Sequence, residues 1–129
     1  MKLELKHLAP YLPYGLKVSN IRGSVFLLNT FSNMRGRGIE SRDINSVLSE
    51  QMKPILKPLS DLTKEFEHNG EKVNIFDRIE IYKGSGVDYL IEQIRFGFVE
   101  VIVYNILLEH HFDVFGLIEK NLAIDINTI

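Results

Sequence analysis

His110, His111 and Asp113 form the one cluster whose residue types resemble a set of metal ligands. Their spacing argues against a shared site. Adjacent residues on a helix project about 100° apart, whereas zinc-binding helices place histidines at i and i+4. On a helix over 98–112, His110 projects with Val99, Val103 and Ile106, and His111 with Glu100 and Tyr104. The expectation is a satisfied structural pair of histidines, with no metal and no cofactor. The stripe Glu100, Tyr104 and His111, at i, i+4 and i+11, is the better seat for chemistry. An acid, a phenol and an imidazole on one helix face can form a polar network lining a cleft.

A second group is cationic. Arg35, Arg37 and Arg42 cluster around Ser32-Asn33-Met34-Arg35-Gly36-Arg37-Gly38, which is a loop by composition. Arginines spaced by glycine can grip phosphates with both guanidinium edges while the backbone closes in. Tyr11 and Tyr14 would supply stacking groups for unpaired bases. Lys83-Gly84-Ser85-Gly86 only superficially resembles a phosphate loop, because it lacks the Walker spacing and its Lys-[Ser/Thr] end. No G-x-S-x-G elbow and no paired carboxylates stand out, so no catalytic residue is assigned.

The elements that must position these residues centre on 85–126. Ser85 and Asp88 read as an [ST]-x-x-[DE] helix start, and Val87, Leu90, Ile91 and Ile94 repeat on one helical face. Phe96-Gly97-Phe98 breaks or kinks that helix. The following stretch, 98–112, is apolar nearly all round, as in a helix buried in a core or a dimer interface. Its β-branched run Val99–Val103 also suits a strand. Asp113 caps a short third helix that stops at Asn121, and Ile124 and Ile126 alternate with polar residues as a closing strand.

Upstream, Pro10 and Pro13 make 5–14 a stiff extended or turn segment. Stretches 15–19 and 24–31 read as strands, the second of them central. Residues 44–50 fit a strand or a short helix. Pro54 and Pro58 make 52–59 an edge strand or extended crossing. Phe66-Glu67-His68-Asn69-Gly70-Glu71-Lys72-Val73 is a hairpin on a two-residue Asn-Gly turn, pairing Phe66 with Val73 and Glu67 with Lys72. Residues 74–82 follow as a short helix or turn. The fold class is therefore α+β. A small, mainly antiparallel sheet, made of N-terminal strands plus the hairpin, packs against two or three C-terminal helices in a single domain, 1–129.

The chain has 129 residues, 45% apolar and 25% charged, enough to bury a real core. It has no cysteine, which excludes disulfides, thiolate ligands and cysteine nucleophiles and suits a reducing cytoplasm. The first residues carry no long apolar run, so neither a signal peptide nor a membrane span is expected. Residues 1–60 hold nine Lys/Arg against four Asp/Glu, net +5, whereas 61–129 hold six against thirteen, net −7. Such asymmetry suits a polyanion-facing surface, or halves that attract each other within one fold or across a dimer.

Four stretches carry a resemblance: 5–16 (Leu-Lys-His-Leu-Ala-Pro-Tyr-Leu-Pro-Tyr-Gly-Leu), 53–62 (Lys-Pro-Ile-Leu-Lys-Pro-Leu-Ser-Asp-Leu), Asn69-Gly70-Glu71-Lys72, and 111–120 (His-Phe-Asp-Val-Phe-Gly-Leu-Ile-Glu-Lys). Together they resemble a group of small proteins of prophages and other mobile elements of Bacteroidetes-type bacteria. The resemblance implies a mobile-element setting. It carries no activity, cofactor or catalytic residue to transfer. The expectation is a non-enzymatic, cytoplasmic protein-interaction module whose partner is another protein or a second copy in a homo-oligomer. The alternative is a nucleic-acid-binding accessory protein using the basic first half.

Overall fold

The computed structural model describes residues 2–29, 35–36, 39–79 and 84–129. The local signals that need no distant partner fold as read. Asn69 (φ 53°) and Gly70 (φ 82°) both take left-handed backbone, as a type I′ turn demands. They join strands β6 (Phe66–His68) and β7 (Glu71–Val73), with Phe66 opposite Val73, Glu67 opposite Lys72 and His68 opposite Glu71. This hairpin forms its own two-stranded ladder and does not enter the main sheet.

The main sheet is built from β1 (Lys17–Ser19), β2 (Val25–Asn29), β3 (Arg35–Gly36), β4 (Ile39–Asp43), β5 (Lys53–Leu56) and β8 (Ile124–Asp125). Its spatial order is β3-β4-β2-β1-β5-β8. The sheet is mixed. β4 on β2 and β8 on β5 run parallel, and the other three pairs run antiparallel. β2 is central, as its Val-Phe-Leu-Leu sequence suggests. β5 is also internal, which corrects the edge expectation drawn from its proline. β1 alone reaches Pro54, and the β8 ladder begins one residue later at Ile55. The proline is therefore paired on one side only, and the strand tolerates it.

Two other expectations change. The segment 5–14 is not extended. Helix α1 (Leu5–Leu8) runs into a 3-10 helix, Ala9–Tyr14, with Pro10 in its first turn and Pro13 inside it. A first-turn proline lacks only an N–H that would be unbonded anyway. Gly15 (φ 67°) then ends the helix. Arg35 and Gly36, read as loop, form β3 against β4. Residues 32–34 and 37–38 lie outside the described residues. Residues 44–50 resolve as helix α2 (Ile44–Ser49), whose cap is Asp43 accepting from the Ser46 N–H at 2.8 Å. Asn74 in the same way caps α3 (Ile75–Arg78).

Helix α4 spans Val87–Phe96, with Leu90 and Ile94 buried and Asp88, Glu92 and Arg95 outward. Its N-cap is Gly86 rather than Ser85. The positive φ of Gly86 turns the chain just before the helix and leaves Ser85 one position too early to cap. Helix α5 spans Val101–Glu109, shorter at both ends than the stretch 98–112. The third helix does not form. Residues 113–123 make successive turns held by Asp113, whose carboxylate accepts from Leu117 N–H (2.8 Å) and Ile118 N–H (2.9 Å). Asn121 (φ 59°) closes them in left-handed backbone, as expected of a stop.

One cluster of buried side chains joins all of this, from Leu8 through Val18, Leu28, Leu56, Ile75 and Leu90 to Leu107, Leu117 and Ala123. Tyr11 and Phe112 are its largest fully buried members. Burying each such side chain contributes about 1.5–3 kcal/mol. Among the described residues, no helix is long and apolar enough to cross a membrane.

Candidate functional site

Helices α4 and α5 meet at a joint dictated by Gly97. Its φ of 76° lets the chain reverse, while Gly97 N–H donates to Ile94 O (3.1 Å) and Phe98 N–H to Gln93 O (2.9 Å). This pair of bonds is a Schellman stop, which satisfies carbonyls the helix end would leave open. The stop throws Phe96 and Phe98 outward with their rings stacked 6.3 Å apart. The first turn of α5 adds Val101 and Ile102. These four large apolar side chains, within seven residues of chain, are 63% to 75% exposed. The other face of α5 is buried through Val103, Leu107 and Leu108. The all-round apolar character of this helix thus divides into one core face and one outward face.

Beside the joint lies a cleft of about 490 Å³, lined by Ile94, Arg95, Phe96, Tyr104, Phe115 and Glu119 among others. Arg95 and Glu119 pair across it at 3.0 Å, both exposed. Tyr104 sits edge-on to Phe115 at 6.5 Å, and burial raises its phenol pKa, which keeps it a neutral donor.

The stripe Glu100–Tyr104–His111 comes apart. Glu100 is the N-cap of α5 and Tyr104 lines the cleft, but α5 ends at Glu109. His111 takes left-handed backbone (φ 63°), which swings its ring away, and its Nε2–H donates to Tyr14 O at 2.7 Å. Its main chain is held just past the end of β5, where Lys57 N–H donates to His111 O. Burial holds the His111 pKa below the usual histidine range, against the pull of the Tyr14 hydrogen bond. The shape of the helix end, and not the residue spacing, decides where His111 points.

The metal-like trio also separates. Asp113 turns into the chain to cap the 113–123 turns, and burial raises its pKa despite those N–H donors. His110 faces the opposite way from His111, toward the hairpin, where its ring lies 4.6 Å from His68 and 5.5 Å from Phe66. His110, His111 and Asp113 thus each face a different partner: the hairpin, Tyr14 O and the 113–123 turns. The sequence offered no signal that His68, forty-two positions upstream, would meet His110.

Of the arginines, Arg42 lays its guanidinium 4.2 Å above the Phe26 ring. Arg35 belongs to β3, and Arg37 lies outside the described residues. Tyr11 is not placed to stack on a base. It is fully buried, its hydroxyl donating to Phe112 O and accepting from Val114 N–H. The sequence marked Tyr11 as aromatic and polar, and burial of the proline-bearing segment around it reverses the role.

Comparisons of the chain with protein-family models, with curated proteins and with solved structures find no match.

Proposed function

We propose that this protein is a non-enzymatic interaction module that pairs with a second copy of itself through the α4–α5 joint. One observation carries the reading: Phe96, Phe98, Val101 and Ile102, all within seven residues of chain, are large apolar side chains left exposed. Isolated apolar residues on a surface are ordinary, whereas a group of this kind marks a docking surface. A second copy is favoured over a charged partner by the rim. The cations Arg95 and Lys120 lie beside the anion Glu119, and Arg95 and Glu119 already neutralise each other. A twofold contact sets like against like, which suits an apolar, locally neutral patch. The resemblance to mobile-element proteins and the cysteine-free composition support a setting in the cytoplasm of a bacterial host carrying such an element.

The test is sedimentation velocity across a concentration series, for the wild type and for a Phe98→Asp/Ile102→Asp variant. The expected result is a wild-type dimer and a monomeric variant with unchanged circular dichroism, because both side chains are exposed. A wild type monomeric throughout the series, or a variant that still dimerises, overturns the reading.

A further inference from the structure

His68, Glu109 and His110 each offer one ligand atom, and the three atoms lie within 4.8 Å of one another. The convergence comes from two elements. His68 ends β6, just before the Asn-Gly turn, and Glu109 is the last residue of α5. His110 is the C-cap of that helix (φ −98°, ψ 13°). Neighbouring residues on a helix diverge by about 100°, and the Glu109 side chain spans that gap, bringing its carboxylate to 4.0 Å from His110 Nε2.

A second observation points to a ligand. The His110 side chain is only 3% exposed. Its nearest charged oxygen, Glu109 Oε2, is 4.0 Å from Nε2, and its ring lies edge-on to that of His68 at 4.6 Å.

We propose that His68, Glu109 and His110 bind one divalent transition-metal ion of the zinc class, clasping the β6–β7 hairpin to the end of α5. Two imidazoles and one carboxylate are a recurrent donor set for zinc, and they leave a fourth position for water. Tetrahedral zinc, with bonds of about 2.0–2.1 Å, holds its ligand atoms roughly 3.3 Å apart. The three side chains must therefore draw in by about an ångström. Glu109, 53% exposed, and His68, at the tip of a hairpin separate from the main sheet, have room to do so. The donors select the class of ion, because imidazole nitrogens suit zinc whereas Mg²⁺ prefers an all-oxygen shell.

The test uses the full chain without a histidine tag, stripped with chelator and titrated with zinc chloride by calorimetry. Cobalt(II) absorption reports the geometry. The expected result is one zinc per chain at micromolar affinity or tighter, a tetrahedral cobalt spectrum and no heat with magnesium. His68→Ala and Glu109→Gln, both on partly exposed side chains, should each weaken zinc by about 100-fold or more. Their metal-free melting temperatures should stay near that of the wild type. No stoichiometric zinc binding by the wild type overturns the proposal, as does binding that both variants leave unchanged.

Discussion

The hydroxyl of Tyr11 ties together chain segments 101 positions apart, bonding Phe112 O inside the core. Burial pushes its pKa far above the ordinary tyrosine value, so it works as a neutral donor. The histidines follow the same physics with the opposite sign. His7, His110 and His111 all have pKa values lowered, with burial the largest cause in each. A depressed histidine binds its proton more tightly when unfolded. Its contribution to stability is whole above about pH 6.5 and is lost as pH falls toward the folded value. For His110 that window runs from 6.5 to about 4, or about 3 kcal/mol. Urea unfolding in the presence of chelator should lose stability steadily from pH 6.5 to 4, and His110→Leu should flatten the slope. A slope that does not change would place the titration elsewhere. Asp113, with its pKa raised, contributes the other way, losing stabilisation as pH rises through its folded value. None of this was legible in residue types alone. Tyr11 beside two prolines reads as a surface turn until the 3-10 helix carries it inward.

Elements whose rules are local were legible. Asn69-Gly70 is the only pair of positions in 66–73 able to hold φ > 0 twice in succession at low cost, and the whole register of the hairpin follows from it. The face of α4 followed from Leu90 and Ile94. Helix ends were less legible, because they depend on what the next residues pack against. Gly97 is the clearest case. Its sequence context suggested a break or a kink, and the structure makes it a full stop that separates α4 from α5. Gly97→Ala places a Cβ on left-handed backbone and should cost about 1 kcal/mol. It should also disturb the Phe96–Phe98 stack. Denaturant titration checks the first effect. Weakened self-association relative to the wild type checks the second.

At the scale of the molecule, the basic and acidic halves of the sequence are not two bodies. β5, from the first half, is flanked by β1 and β8, one from each half. Lys57 adds a further link, donating to His111 O at 2.8 Å and accepting from Asp113 N–H at 2.9 Å. Lys53 Nζ meets Asn121 Oδ1 at 3.1 Å. The α+β class was readable from the order of patterns. The crossing of the two halves was not, because pairing between distant strands leaves no periodicity in either. The site was hidden for the same reason. His68 and His110 belong to separate local patterns, and only the tertiary path of the chain brings them together.

The pairing of β5 with β8 also sets a clock. Ile55 lies beside Ile124, sixty-nine residues further along the chain. At roughly 5–20 residues per second, a ribosome makes that stretch in about 3–14 s. Throughout that interval Ile55 and Leu56 have been made, while the strand that will cover their open side has not. A stalled nascent chain ending before Leu122 should therefore remain open to protease at β5, while a released full-length chain resists. Should the stalled chain resist equally, the remaining elements must close the sheet without β8. For a few seconds of every synthesis, then, an apolar strand edge is on offer to chaperones or to other chains.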